Sequence, residues 1–74
     1  MSKAEEIYVT EQGLEDMKKE LEYLQTEKRP EVIEALKEAR ALGDLSENAE
    51  YDAARSEQAE VETKIASLTA MIEN

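Results

Sequence analysis

The sequence predicts an all-α fold in which two long antiparallel helices form a coiled-coil hairpin. The 74 residues include only two Gly and one Pro, and Glu, Lys, Leu and Ala dominate, a composition typical of long helices and coiled coils. Two stretches of apolar residues repeat at intervals of three and four, which is the pattern of a coiled-coil seam. The connection between the two stretches is short, so the helices must lie side by side and antiparallel.

The first helix is predicted over about residues 11–42. Thr10 fits the N-cap, where a hydroxyl accepts a hydrogen bond from a free backbone N–H, and Gly43 fits a left-handed residue that ends the helix. The seam positions are Leu14, Met17, Leu21 and Leu24, followed, after a shift of about one position, by Val32, Leu36 and Ala39. Pro30 lies inside this shift, and because the pattern resumes promptly we expect a bent helix and not a break.

The second helix is predicted over about residues 45–72, with the tip of the hairpin at 43–46 and Asp44 as the N-cap. Its seam positions are Tyr51, Ala54, Gln58, Val61, Ile65, Leu68 and Ile72. The apolar seam is densest far from the tip and thins toward it. The whole chain, 1–74, is short enough to form one domain.

Charge and composition exclude several function classes. The formal net charge is -10 and the chain has neither Cys nor His, which excludes classical zinc sites and histidine acid–base catalysis. So negative a surface repels nucleic acid and anionic membranes, and any contact with RNA would require a local basic patch. No apolar run approaches the ~20 residues of a membrane span and no signal peptide is recognisable. We therefore expect a cytoplasmic protein without a membrane partner.

The tip carries four acids and no Lys or Arg over residues 43–52. Asp44 to Glu47 matches a capping box, which is a purely structural reason for both acids. However, Asp44 and Glu47 would share one helix face, and Glu47 would face the uncharged Ala39. Two carboxylates make a poor magnesium site alone, but they complete a site to which another molecule contributes. Such a pair suits two-metal phosphodiester hydrolysis.

Four segments form a specific pattern around the tip: Arg29-Pro30, Glu38-Ala39-Arg40, Gly43-Asp44-Leu45-Ser46-Glu47-Asn48-Ala49-Glu50-Tyr51 and Ala53-Ala54-Arg55. Together they closely resemble the bacterial transcript cleavage factors of the Gre family, and its GreA branch more than its GreB branch. The resemblance extends from Leu14 to Ile72.

The resemblance implies that the hairpin enters the secondary channel of RNA polymerase. There, two tip acids help to hold the second Mg²⁺ while the polymerase cuts backtracked nascent RNA. The chain is then no enzyme itself but stimulates the endonucleolytic cleavage by the polymerase. The residues implied are Asp44 and Glu47 as donated catalytic acids and shared Mg²⁺ ligands, Ser46 and Asn48 as supporting tip residues, and Arg40 and Arg55 as contacts to the RNA 3′ end.

Family members also carry a C-terminal FKBP-like domain, which this sequence lacks. The sequence is then either an excised N-terminal domain, which we expect, or a naturally short relative, and its affinity for the polymerase should be weakened. Two alternatives remain open: an inhibitor that blocks the channel on the same scaffold, and a structural coiled coil whose exposed apolar helix edges allow weak self-association. Arg40 and Arg55 have an alternative interpretation as solvated side chains in local ion pairs. We expect Tyr51 to belong to the core.

Overall fold

The computed structural model describes residues 10–43 and 47–73 and shows two helical arms that pack along each other. The first arm consists of helix α1 (Glu11–Tyr23), a π-helical turn (Leu24–Lys28) and helix α2 (Arg29–Ala41), and the second arm is helix α3 (Ala49–Glu73). The described ranges contain no strand. The molecule measures 50 × 23 × 14 Å. The predicted fold class, an all-α hairpin of two long helices, is confirmed.

The first arm begins at the predicted cap. The Thr10 hydroxyl accepts a hydrogen bond of 2.9 Å from the backbone N–H of Gly13, which satisfies one of the free donors of the first turn. A Cβ on Gly13 would lie 3.3 Å from the same hydroxyl oxygen. Glycine lowers the helix propensity of the first turn, but here it leaves room for the cap.

The first arm ends in a tightened turn. The N–H of Leu42 donates to the carbonyl of Ala39 over 3.1 Å, and the N–H of Gly43 donates to the carbonyl of Arg40 over 3.2 Å. Gly43 has a φ of 115°, which L side chains rarely adopt. A Cβ at Gly43 would meet nothing within 4 Å, so the glycine is required by the backbone conformation and not by crowding. The predicted helix-ending glycine is confirmed.

The π turn explains the shift in the first seam. The N–H of Arg29 bonds to the carbonyl of Leu24, five residues earlier, and the backbone around the turn keeps right-handed helical angles. A turn of this kind accommodates one extra residue within an otherwise α-helical segment. The arm is therefore continuous, as predicted. Its irregularity is a wider turn that immediately precedes Pro30, a residue that has no N–H to donate to a preceding carbonyl.

The core occupies the seam that the sequence predicts. All the predicted seam positions in both arms are buried or half-buried. The central cluster consists of Leu24, Val32, Val61, Ile65 and Leu68, with Met17 and Leu21 packed against it. Nearer the tip the buried residues are Ala39 and Ala54, so the core thins toward the tip as expected. Small side chains there let the two backbones approach closely.

Ion pairs between the arms surround this core. The guanidinium of Arg29 binds the carboxylate of Glu62 with two bonds of 2.8 and 2.7 Å, and Lys28 lies 2.8 Å from Glu57. These contacts lower the pKa of Glu62 through the hydrogen bonds from Arg29 and raise the pKa of Lys28, chiefly through its hydrogen bond to Glu57. Exposed pairs of this kind contribute little stability individually. The bidentate contact between Arg29 and Glu62 nevertheless favours one register of the arms.

Within the described ranges four large apolar side chains are exposed, namely Tyr23, Ile33, Leu42 and Met71. They are spread along both arms, and weak self-association through such edges stays a prediction. Among the helices of the described ranges, none combines the length and the apolar character that crossing a membrane requires.

We predict that the first arm tolerates loss of one residue at the π turn. Deleting Thr26 together with Pro30→Ala would convert the turn into regular α-helix and leave a continuous seam of threes and fours. The expected cost is at most about 1 kcal/mol of unfolding free energy, because the buried set is unchanged. Urea unfolding followed by circular dichroism measures it.

Deletion of the exposed Lys19 is the matched control. It would rotate Leu14 and Met17 by about 100° away from the seam and should cost about 2 kcal/mol or more. Equal losses for the two deletions would show that the π turn does not absorb the extra residue.

Candidate functional site at the hairpin tip

Asn48 joins the two arms at the tip. Its side-chain oxygen accepts the N–H of Tyr51 over 3.0 Å, and its side-chain nitrogen donates to the carbonyl of Ala39 over 2.6 Å. The partners determine the orientation of the amide, since a backbone N–H requires the oxygen and a carbonyl requires the nitrogen. The first bond caps helix α3 and the second attaches that cap to the end of helix α2.

Helix α3 therefore begins later than the sequence predicts. It starts at Ala49, four residues after the expected start at 45, and Asn48 is its N-cap in place of Asp44. Asn48 satisfies the helix N-terminus and the opposite arm with one side chain. That double role favours the later start.

The delayed start changes the position of Glu47. The prediction that Glu47 faces Ala39 is wrong, because Asn48 reaches Ala39 and Glu47 is exposed. The seam register does not extend to Glu47, which lies before the helix. Asp44 and Ser46, the other predicted tip residues, lie outside the described residues.

Arg40 and Arg55 come together around one aromatic ring. The guanidinium carbon of Arg40, at the end of helix α2, and that of Arg55, in helix α3, each lie 5.9 Å from the centroid of the Tyr51 ring. This distance is within the range of a cation–π interaction. The structure thus places the two predicted RNA-contacting residues at one site, on opposite arms, with the half-buried Tyr51 between them.

Acidic residues flank Tyr51 in the sequence. Glu47, Glu50 and Asp52 are exposed, and the latter two lie in the first turn of α3, where carboxylates interact favourably with the positive end of the helix dipole. The described residues contain no group of three or more candidate metal ligands. Within the described part of the tip, Glu47 thus offers a solvent-accessible carboxylate but not a complete coordination shell.

Sequence reasoning missed the structural roles of Asn48, which caps helix α3 and bonds to the first arm, and of Tyr51, whose ring lies between Arg40 and Arg55. Asn48 is a preferred N-cap type and precedes Tyr51 by three positions, which was the available signal, but the capping-box match at Asp44 competed with it. Arg55 follows Tyr51 by four residues on one helix face. The contact of Arg40 with the Tyr51 ring depends on the antiparallel pairing of the arms, so no local sequence pattern predicts it.

A family model described as "Transcription elongation factor, N-terminal", for the GreA and GreB proteins, matches residues 7–74. The chain belongs to this GreA/GreB family. It corresponds to the N-terminal domain of the family, in agreement with the resemblance found at the tip.

Curated relatives of the chain are named transcription elongation factor GreA. The protein from Thermoanaerobacter pseudethanolicus is 56% identical over 68 residues, which cover 92% of this chain and 43% of the relative. The protein from Geobacillus kaustophilus is 53% identical over 74 residues, which cover 100% of this chain and 47% of the relative. The chain thus spans less than half the length of these relatives. No solved structure matches the chain significantly.

We predict that Asn48→Asp destabilises the hairpin although Asp is an equally good helix cap. The new carboxylate would still accept the Tyr51 N–H, but it has no N–H to donate to the Ala39 carbonyl. A carboxylate oxygen would then face the carbonyl oxygen, and the two would repel each other. The expected loss is about 1–3 kcal/mol of unfolding free energy, measured by urea unfolding.

Asn48→Ser is the matched control, because it also caps the helix but is too short to reach Ala39 and adds no charge. A similar loss in both variants assigns the effect to the bond with Ala39. Wild-type stability in Asn48→Asp would mean that this bond does not hold the arms together.

Proposed function

We propose that this hairpin enters the secondary channel of RNA polymerase and stimulates cleavage of backtracked nascent RNA by the active site of the polymerase. The observation that carries the proposal is the exposed carboxylate of Glu47 at the end of a rod with a longest dimension of 50 Å. Family membership supports a role in transcription elongation. The chain then acts as an activator of the enzyme and not as the enzyme.

The neighbourhood of Glu47 suits this role. Asn48, the next residue, is bonded to both arms, so the backbone beside Glu47 is fixed relative to the whole hairpin. Glu47 itself projects where another molecule has access to it. A carboxylate held in this way loses little conformational freedom when it meets a partner site, which favours precise placement.

Asp44 and Glu47 are the residues that would hold Mg²⁺ jointly with the polymerase. Carboxylate oxygens are the ligands that Mg²⁺ prefers, and the ion is commonly bound by one or two carboxylates together with water and phosphate oxygens. The partner would supply the remaining ligands. When bound there, the ion supplies activation of water and stabilisation of negative charge on phosphate oxygens.

The remaining predicted residues have distinct parts in this proposal. Asn48 positions the tip, and Ser46 supports it alongside Asp44. Arg40 and Arg55, gathered around Tyr51, contact the phosphates at the RNA 3′ end. Arginine suits this contact because its planar group binds phosphate oxygens in pairs.

We predict that Asp44→Ala and Glu47→Ala each abolish stimulated cleavage while the helix content stays nearly unchanged. Glu47 precedes helix α3 and is exposed, so its carboxylate is expected to serve the partner and not the fold. The measurement is the shortening of RNA in a backtracked elongation complex with Mg²⁺, using saturating amounts of the chain.

Glu50→Gln is the matched control, since Glu50 is a nearby exposed acid in the first turn of α3, and it should retain cleavage. Normal cleavage by the Asp44→Ala/Glu47→Ala double variant would refute the assignment of the acids. Blocked RNA extension without new 3′ fragments would instead identify the wild-type chain as an inhibitor.

A further inference from the structure

The ring of Tyr51 occupies the junction between the arms, where it meets one cation from each. Its own backbone N–H is bonded to Asn48, which is also bonded to Ala39 on the first arm. Arg40 follows Ala39 directly, and Arg55 lies one helical turn after Tyr51. The same contacts that close the tip therefore determine where the ring lies between the two guanidinium groups.

The ring also offsets an electrostatic cost. Two arginines drawn to one place repel each other, yet each guanidinium carbon lies 5.9 Å from the ring centroid. The two charges are thus separated by no more than twice that distance. The electron-rich face of an aromatic ring attracts such cations, and Arg interacts well with it because its group is flat and weakly hydrated.

This arrangement differs from that of the three cations that form ion pairs in the described arms. Lys28, Arg29 and Lys64 lie within ion-pair distance of carboxylates on the opposite arm, where they help the arms to pair. Arg40 and Arg55 instead share an uncharged aromatic partner, which leaves their charge uncompensated by that contact. Such a pair suits the binding of an anion from outside.

We propose that Tyr51 is a positioning residue that makes Arg40 and Arg55 a single cationic site for the phosphates of the RNA 3′ end. The inference rests on the proposed function and extends it, since it assigns a role to a residue expected only to fill the core. A residue that merely fills the seam would be replaceable by an aliphatic side chain of similar size. A positioning residue requires the aromatic face.

The test compares Tyr51→Leu and Tyr51→Phe in cleavage of backtracked RNA at saturating chain concentration. Tyr51→Phe keeps the ring and should retain wild-type rates. Tyr51→Leu should lower the maximal rate about 5- to 30-fold if both cation–π contacts are lost. Circular dichroism and thermal unfolding establish that each variant is folded, and Tyr51→Met serves as a second aliphatic replacement if the Leu variant does not fold.

The same substitution in an Arg40→Gln/Arg55→Gln background separates positioning from packing. With both guanidinium groups removed, Tyr51→Leu should change the residual rate less than about twofold, because the ring has nothing left to position. A second large drop in that background, or full activity of Tyr51→Leu alone, would overturn the inference while the wild-type chain still stimulates cleavage. A wild-type chain that fails to stimulate cleavage would refute the proposed function, and this inference with it.

Discussion

Across residues 10–43 and 47–73 the fold depends on a single apolar seam between two helical arms, with no further layer to compensate for an error in register. All the buried residues of the described arms lie on that seam, so each interval along one arm must match the other. The π turn at Leu24–Lys28 meets this constraint by absorbing one extra residue. The pair Arg29–Glu62 follows directly after it, where a slip of the arms would separate the charges.

At the tip, too, the two arms must match in register. Among the described residues near the tip, the buried ones are Ala39 and Ala54, whose small side chains let the arms lie close enough for Asn48 to bond to both. The closure leaves Glu47 just outside the helix and exposed. Asn48 caps helix α3 and links the two arms, and it thereby determines the position of the neighbouring Glu47. Local hydrogen bonding at the tip thus supports the proposed action of Glu47 on a partner.

The sequence predicts the fold well because heptad spacing reports directly on burial. It predicts the Thr10 cap and the Gly43 turn for an equally local reason, since each follows from the chemistry of one residue. The start of helix α3 was misplaced because Asp44 and Asn48 are both good caps, and only contact with Ala39 decides between them. The bond between Arg29 and Glu62 joins positions 33 apart in the chain, for which spacing carries no signal.

The central claim is that Glu47 is a ligand of an ion shared with the polymerase, and metal rescue of Glu47→Cys tests it most directly. The chain has no other cysteine, so the new thiolate is unique, and thiolates prefer softer ions to Mg²⁺. RNA cleavage by the variant should be lost with Mg²⁺ alone and partly restored when a small amount of Cd²⁺ is added, whereas Glu47→Ala should not respond. Full cleavage by Glu47→Cys with Mg²⁺ alone, or a loss that does not depend on the ion, would contradict the account.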